Sequence, residues 1–586
     1  ALGAGLRIGG IFEDLPFSFH GDETHFVKRS VALGTGDLNP HWFHKSAFLM
    51  YVLLFFYGSY YLLGSTLGWF ESVGQFGAHF LHSPGPFVLI GRCVVAACGI
   101  ATVYVVYRIA RRAFGSFHAG LSAALVAAVL FPMVVSSQEV KEDVACGFLV
   151  ALSFLYYVRT LDEPGWRPFL IACLLAGAAM GTKYYGIILV PVYVAAELAR
   201  RFTRDAPWRR VLARASLVVL LFLAGFFVTS PYNFLDPTWM REEIAPKLGA
   251  LVGKGETERY DPDNDVRYVV GPGTYVRAAG HFWEKAAGGN ALGPVFTVLC
   301  AFGFAVAVAN RRTRTYALLV GAPVAMFWLI ASVFYSFHVN PRHLNALYPL
   351  LCTLVAPAVL YLARLARVPP SREAVAAILF VALACAPGVA DAVNHDVAVS
   401  RLDSRVKSYE WIVRNVPKDA RILLDEYGPQ LQPNPAALAR LQARLGALPP
   451  SEAFTRHQRQ RFDLLRRYPP DDAFDIDELG HPWWLPHEMP DEQLRASFRH
   501  RDMGDPLISR LPRTLEEYRR DGIRYVITNS ASQARYFEND AVRKNFPSFV
   551  RFYNELRVLE PLNVFRPREW GGKGPVVTIY DIAAGG

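Results

Sequence analysis

The sequence predicts a polytopic α-helical membrane protein with a soluble α/β domain at its C-terminal end. Of its 586 residues, 52% are hydrophobic and 19% are charged, whereas soluble domains carry roughly 25% charged residues. The apolar residues form long runs. Two of them, "VLARASLVVLLFLAGFFVTS" (211–230) and "YALLVGAPVAMFWLIASVFYSF" (316–337), reach the ~20 residues that a bilayer-spanning helix needs. After residue 395 the sequence becomes polar and proline-rich, which indicates a second domain in water.

Residues 1–395 are predicted to form the membrane domain. The opening stretch, "ALGAGLRIGGIF", is too short to span a bilayer, and we expect it to be the tail of a first spanning helix. Counting this helix, we expect about eleven spanning helices of ~20 residues. The further apolar segments are 47–66, 87–107, 117–136, 144–160, 168–182, 184–199, 211–230, 291–310, 314–336, 343–366 and 372–391.

Residues 396–586 are predicted to form the soluble domain. Short runs of β-branched and apolar residues at 420–426, 523–529 and 575–582 are typical of strands, and 404–416 has the spacing of an amphipathic helix. Alternating strands and helices favour an α/β fold.

Clusters of arginine set the expected orientation. The gaps at 108–112, 200–210, 311–314 and 364–372 are arginine-rich, which places them in the cytoplasm. The outer side then receives the loops 13–86, 137–143 and 231–290 and the terminal domain. This assignment requires that 47–66 lie along the membrane interface rather than cross the bilayer, and its tyrosines and glycines suit an interfacial helix.

Two other features exclude function classes. The net charge of +10 is confined to short gaps between apolar runs, which is the pattern of cytoplasmic loops and not of a nucleic-acid-binding face. All seven cysteines lie in or beside apolar runs without CxxC spacing, so we expect neither a disulfide framework nor a zinc-thiolate site.

Polar clusters converge on the outer face. The first is "FHGDETHF" (19–26), with the adjacent carboxylates Asp22 and Glu23, and the others are "SQEVKED" (137–143) and "SFHVNPRHLNALYP" (336–349). Lys183, in "GTKYYG", adds a cation between two apolar segments. Ionisable residues at membrane depth are costly, which indicates a function. A solvated loop remains the alternative for Asp22 and Glu23, and an interfacial anchor is the alternative for the cations.

The order of four motifs resembles a known family. These motifs are "GDE…GDLNPHWFHKSAF", the acidic helix start "KEDVACGFLVALSFLYYVR", "GAAMGTKYYG" and "NPRHLNALYPLL". Together, over residues 14–366, they resemble the polyprenyl-phosphate-sugar-dependent glycosyltransferases of the GT-C fold, specifically family 39, which includes protein O-mannosyltransferases and lipid A aminoarabinose transferases. A trailing external domain also fits such enzymes.

The resemblance implies an inverting transfer of a sugar from a polyprenyl-phosphate donor to a lipid, glycan or protein acceptor. It implies that Asp22 is the general base, with Glu23 assisting it or coordinating a ligand. The leaving phosphate needs cations, and Lys45, Lys183 and Arg342 are the candidates. The expected location is a bacterial cytoplasmic membrane, with the active site and the terminal domain outside and the terminal domain shaping the acceptor site.

Some positions depart from the family pattern. His44 stands where relatives often have Glu, His25 where they often have Arg, and Glu142 with Asp143 where they often have Pro-Asp. His44, Glu142 and Asp143 could together bind a divalent metal ion. Alternatively, the two carboxylates cap a helix N-terminus.

Two other classes of protein remain open at this point. A transporter also places ionisable residues in the membrane, but it predicts halved, repeated hydrophobic segments, which this sequence lacks. A non-catalytic scaffold, or a subunit of a larger membrane complex, would tolerate the departures from the family pattern.

Overall fold

The structure is a computed structural model. It describes residues 1–162, 165–203, 205–245, 258–261, 266–269, 293–334, 341–369, 371–448, 452–482, 485, 487–497 and 505–583. Most of the predicted outer loop 231–290 therefore lies outside the described residues, and so does the start of the predicted cluster 336–349.

The N-terminal part of the chain is helical. Its α-helices are α1 (Leu2–Ile8), α2 (Gly21–Leu33), α3 (Phe48–Thr66), α4 (Val73–His82), α5 (Gly85–Phe114), α6 (Phe117–Val129), α7 (Phe131–Val135), α8 (Glu142–Asp162), α9 (Trp166–Thr182), α10 (Leu189–Thr203), α11 (Trp208–Thr229), α12 (Tyr232–Leu235), α13 (Gly293–Ala309), α14 (Arg314–Phe334), α15 (Tyr348–Leu365) and α16 (Glu373–Val399). Short 3₁₀ turns cover Ser136–Gln138, Tyr184–Ile188 and Pro341–Ala346, and a π turn covers Trp239–Ile244. Between α12 and α13, β1 (Glu258–Asp261) and β2 (Val266–Val269) form an antiparallel pair.

Length and composition qualify six of the described helices as membrane spans, or seven if α6 and the bent segment after it form one. The bend is 65°, and its cause is local. Pro132 sits in the first turn of α7, where proline cannot donate a backbone hydrogen bond to the preceding turn. Three shorter apolar helices, within α9, α13 and α14, accompany the longer ones. The count of about eleven spans stays a prediction.

The segment predicted to lie along the interface forms the continuous helix α3. It meets the length and hydropathy criteria of a span, and its large side chains, such as Phe55 and Leu62, are exposed at 69% and 64%. The placement of α3 across or along the bilayer stays a prediction.

The helices of the membrane part pack closely where small residues face each other. A Cβ on Gly177 of α9 would stand 2.1 Å from the carbonyl oxygen of Phe222, and one on Gly225 of α11 would stand 2.2 Å from that of Leu174. Glycines at such crossings let two backbones approach, which is how membrane helices gain packing energy in lipid.

The C-terminal part is built on a six-stranded sheet of order β4-β5-β3-β6-β8-β7. The strands are β3 (Arg421–Asp425), β4 (Gln432–Pro433), β5 (Ala473–Leu479), β6 (Ile523–Asn529), β7 (Asn563–Phe565) and β8 (Val577–Asp581). Strands β4, β5, β3 and β6 are mutually parallel, and β8 runs antiparallel to both of its neighbours, β6 and β7. The helices are α17 (Ser404–Asn415), α18 (Pro435–Ala447), α19 (Glu452–Arg467), α20 (Asp491–Ser497), α21 (Leu515–Arg520), α22 (Ser530–Phe537), α23 (Asp540–Asn545) and α24 (Pro547–Arg557).

The sequences of the central strands are apolar runs because helices cover both faces of the sheet. Ile422 pairs with Ile476 on one side, and Leu423 pairs with Val526 on the other. All four are buried. The predicted fold class, a polytopic helical membrane protein followed by an α/β domain, is confirmed.

Contacts join this α/β domain to the first outer loop. Gln430 donates to the carbonyl of Ser18 at 2.6 Å, and Gln432 donates to that of Leu81 at 3.0 Å. Lys573 pairs with Glu13 at 2.6 Å and Asp14 at 2.9 Å. The domain therefore lies on the side of the membrane part that carries Asp22.

Candidate active site

Asp22 lies in the first turn of α2, where the helix dipole favours a carboxylate. Its Oδ2 accepts a hydrogen bond from Nη1 of Arg342 at 2.8 Å and lies 4.0 Å from Nζ of Lys141. Burial would raise the pKa of Asp22, but Lys45, Arg342 and Lys141 outweigh it and lower the pKa below its usual value. The side chain keeps 30% of its surface exposed. Asp22 is therefore an ionised carboxylate that a ligand can reach.

Glu23 leaves α2 in a different direction from Asp22 and is fully buried. Arg92 binds it through two parallel hydrogen bonds, Nε to Oε1 at 2.8 Å and Nη2 to Oε2 at 2.7 Å. The backbone N–H of Val140 and the hydroxyl of Ser18 complete its shell at 2.8 and 3.0 Å. Glu23 therefore ties α2 to α5 and to the loop before α8, which fixes the position of Asp22.

A second charged group lies at the start of α8. Nζ of Lys45 is 2.8 Å from Oε1 of Glu142, and Nζ of Lys183 is 3.1 Å from the same atom and 2.5 Å from Oδ1 of Asp143. Lys183 is the residue that ends α9. The structure thus brings together Lys45, Lys183, Glu142 and Asp143, as the convergence of outer clusters predicts. Oε2 of Glu142 is buried and has no hydrogen-bond partner among the described residues.

The two charged groups are electrostatic neighbours. The charges of Lys45 and Glu142 act on Asp22, and those of Asp143 and Glu142 act on Arg342. Asp22, Arg342, Lys45, Lys183, Glu142 and Asp143 form what we call the charged centre. It holds a carboxylate that can accept a proton beside three cations that can stabilise an anion.

Close backbone packing positions Arg342. The turn Pro341–Ala346 packs on α8 so closely that a Cβ on Gly147 would stand 2.2 Å from the carbonyl oxygen of Asn345. Asn345 in turn donates to the carbonyl of Arg342 at 2.8 Å and to Ser136 at 3.0 Å. His343, next to Arg342, is kept neutral because burial and the charge of Lys183 hold its pKa far below the usual value.

Sequence reasoning missed two residues of this region. Arg92 lies inside an apolar run, and an intramembrane arginine is itself a signal of function or of a buried pair. Lys141 is 4% exposed and contacts His20 at 2.8 Å and Glu139 at 2.7 Å. Its signal was a lysine between acidic residues directly before an apolar helix.

The metal prediction at His44, Glu142 and Asp143 finds no assembled ligand set. Among the residues that the structure describes, no group of three or more His, Cys, Asp or Glu side chains could hold a metal ion. Glu142 pairs with Lys45 and Asp143 with Lys183, and the ring of His44 lies 6.1 Å from that of Trp42. The metal stays a prediction.

An open face lies beside Asp22. The stretch that carries α2 is fastened to the terminal domain near both ends, through Ser18 to Gln430 and through Asp37 to Arg456 at 3.2 Å. Between these contacts, the side chains of His25 and Lys28 remain exposed. The charges of Arg461, Asp505 and Glu478 in the terminal domain act on Lys28. The exposed surface of α2 at Lys28 therefore lies near the terminal domain.

Residues 89–232 match the family model described as dolichyl-phosphate-mannose-protein mannosyltransferase. This segment includes Arg92, Lys141, Glu142, Asp143 and Lys183. No curated protein sequence matches the chain.

Solved structures of similar shape include ArnT from Cupriavidus metallidurans in the apo state, which is 13% identical with a TM-score of 0.47 and covers 99% of this chain and 96% of that one. ArnT bound to undecaprenyl phosphate is 14% identical, with a TM-score of 0.45 and coverage of 98% and 95%. The Archaeoglobus fulgidus oligosaccharyltransferase in complex with zinc and sulfate is 12% identical, with a TM-score of 0.46 and coverage of 94% and 69%. The family-model match confirms, over residues 89–232, the predicted resemblance to the polyprenyl-phosphate-dependent glycosyltransferases of family 39.

Proposed function

We propose that this protein transfers a sugar from a polyprenyl-phosphate donor to a hydroxyl of a lipid, glycan or protein, with inversion at the anomeric carbon. The observation that carries the proposal is the charged centre, where an ionised, accessible Asp22 lies beside Arg342 and the two lysines. The match to a mannosyltransferase family model supports the same chemistry. The proposed location is the outer face of a bacterial cytoplasmic membrane.

In the proposed reaction, Asp22 accepts the proton of the acceptor hydroxyl. The hydroxyl oxygen forms a bond to the anomeric carbon while the bond between that carbon and the phosphate oxygen breaks. The polyprenyl phosphate leaves with the electron pair, and Asp22 holds the proton until it passes to water. General base catalysis of this kind contributes ~10²–10⁴-fold to rate.

The cations stabilise the charge that develops on the leaving phosphate. Arg342 can bind two phosphate oxygens at once, whereas Lys45 and Lys183 act as point charges. In the structure, Arg342 is bonded to Asp22 at 2.8 Å. When a phosphate binds, Arg342 exchanges Asp22 for the phosphate, which raises the pKa of Asp22 toward that of an efficient base. Donor binding therefore activates the base.

The carboxylates around the base have separate roles in this proposal. Glu23 positions α2 through Arg92 and does not reach the reacting atoms. The unpartnered Oε2 of Glu142 accepts a hydrogen bond from a hydroxyl of the bound donor. The terminal domain recognises the acceptor, because it contacts the stretch that carries Asp22 on both sides of α2.

A divalent metal ion at His44, Glu142 and Asp143 is a proposed second source of positive charge. This proposal predicts that prolonged dialysis against EDTA abolishes turnover and that added Mg²⁺ or Mn²⁺ restores turnover. Unchanged turnover after dialysis assigns the charge stabilisation to Lys45, Lys183 and Arg342 alone.

The test is sugar transfer by the purified protein in detergent, supplied with a panel of radiolabelled polyprenyl-phosphate sugars and a total envelope extract as acceptor. We expect release of polyprenyl phosphate from one donor by the native protein, and a loss of ~10²-fold or more in Asp22→Asn. Binding of polyprenyl phosphate by Asp22→Asn should persist. Equal turnover by both proteins would remove Asp22 from the base role. No consumption of any donor would contradict the proposal and favour a scaffold.

A further inference from the structure

His25 is the exposed side chain nearest along α2 to the proposed base. It lies three positions after Asp22, which places both on neighbouring parts of the same helix surface. The charges of both Asp22 and Lys45 act on His25. Because His25 is exposed, a ligand at the charged centre can reach it.

The ring of His25 is held in one orientation by two contacts. It stacks on the indole of Trp42, with ring centroids 5.5 Å apart and an interplanar angle of 26°. Nη1 of Arg29 lies 3.1 Å from its Nδ1. Arg29 itself is fixed, because its guanidinium lies 4.0 Å above the ring of the 8%-exposed Trp42.

These contacts also determine where the proton resides. A guanidinium can only donate, so Nδ1 of His25 must accept and the hydrogen of the neutral ring lies on Nε2. Desolvation by the neighbouring residues, with the charges of Arg29 and Lys28, lowers the pKa of His25 to about 4. The ring is therefore neutral at physiological pH. Nε2 has no hydrogen-bond partner among the described residues.

The transferred sugar must occupy the space beside this ring. Its anomeric carbon is bonded to a phosphate oxygen, and the phosphate lies among Lys45, Lys183 and Arg342 in the proposed function. The same carbon must lie within reach of a hydroxyl that Asp22 deprotonates. A sugar ring that satisfies both conditions lies next to His25, whose side chain interacts with both Asp22 and Lys45.

Resting on the proposed function, we propose that His25 is a specificity-determining residue whose Nε2–H donates a hydrogen bond to an oxygen of the donor sugar. A neutral, oriented N–H distinguishes a hydroxyl or ring oxygen at that position from an ammonium group, which cannot accept. Trp42 and Arg29 are the positioning residues that hold the ring.

The experiment compares two probes, polyprenyl-phosphate mannose and polyprenyl phosphate, by isothermal titration with the full-length protein in detergent. We expect His25→Ala to bind the sugar-bearing lipid about tenfold more weakly, which is the loss of one hydrogen bond, and to bind polyprenyl phosphate as the native protein does. His25→Gln, whose amide can donate, should recover part of the affinity, whereas His25→Phe should not. His118→Ala, on the predicted cytoplasmic side, is the matched control.

The outcomes separate the two proposals. Equal binding of the mannosyl lipid by native protein and His25→Ala overturns the role of His25, even where Asp22→Asn abolishes turnover. Equal weakening of both lipids shows a structural effect on the site and overturns the sugar contact. Failure of the native protein to bind either lipid contradicts the proposed function itself. If glucosyl lipid replaces mannosyl lipid as the preferred ligand, the same comparison with that donor supports or overturns the contact. A His25-dependent preference for an aminoarabinosyl lipid overturns the proposed discrimination against an ammonium group.

Discussion

At the scale of residues, adjacent carboxylates have different environments and therefore different roles. Asp22 is partly exposed and bonded to one arginine, whereas Glu23 is fully buried and has four hydrogen bonds. Their side chains leave α2 in different directions because successive helical residues are rotated by ~100°. A pair of carboxylates in sequence is thus one candidate base and one structural anchor.

Removing the charge of Glu23 tests this division. Glu23→Gln leaves Arg92 buried without a counter-charge, and breaking a buried pair costs about 3–5 kcal/mol in the free energy of unfolding. We expect a clearly lower Tm for Glu23→Gln than for Asp22→Asn, measured by fluorescence during heating in detergent. The exposed Glu71→Gln, in the same outer loop, should behave as the native protein does. Equal Tm values for all three variants would contradict an anchoring role.

The ion pair between Asp22 and Arg342 predicts a pH dependence. Arg342 contributes to the lowered pKa of Asp22, so Asp22 stays deprotonated at a lower pH than an ordinary aspartate does. In Arg342→Gln that contribution is lost and the pKa of Asp22 rises. As pH falls, kcat/KM should therefore decline at a higher pH in the variant than in the native protein. An acid limb at the same pH in both proteins would contradict the pairing.

At the scale of elements, the glycine in α8 controls the position of the turn that carries Arg342. In Gly147→Ala the new methyl group meets the backbone of Asn345, which cannot rotate away. We expect displacement of the turn Pro341–Ala346, with weaker binding of polyprenyl phosphate and a lower Tm. Gly58→Ala in α3, where a Cβ meets nothing within 4 Å, is the matched control. Native-like lipid binding by Gly147→Ala would show that the turn does not hold the phosphate.

The elements also show what a sequence can predict. The strand 523–529 was predicted with its observed bounds because its β-branched and aromatic residues favour a strand whatever surrounds them. The apolar run 117–136 was not predicted to bend, although Pro132 was visible, because apolar periodicity continues across the break. Of the predicted site, the structure pairs Asp22 with Arg342 and both Lys45 and Lys183 with Glu142, while the roles of these residues stay predictions. The pairing of Glu23 with Arg92, 69 positions apart, leaves no local pattern to find.

At the scale of the whole molecule, the terminal domain contacts the first outer loop, which also carries Asp22. Lys573 is the ionic link, with two carboxylates of that loop within 2.9 Å and only 17% of its side chain exposed. By contrast, Lys418 pairs with Asp472 on the open surface, with exposures of 44% and 46%. Exposed pairs contribute only about 0.2–1 kcal/mol, so the two lysines form a matched test.

Lys573→Met should loosen the terminal domain, because it leaves Glu13 and Asp14 crowded together without their cation. We expect faster limited proteolysis of the segment around residue 400. The rate of sugar transfer to the envelope extract should fall, whereas hydrolysis of the donor, in which water is the acceptor, should be less affected. Lys418→Met should change neither. This pattern would assign acceptor recognition to the terminal domain, since water as an acceptor needs no recognition. If Lys573→Met instead lowers transfer and hydrolysis equally, the domain acts on the charged centre itself, through the loop that carries Asp22.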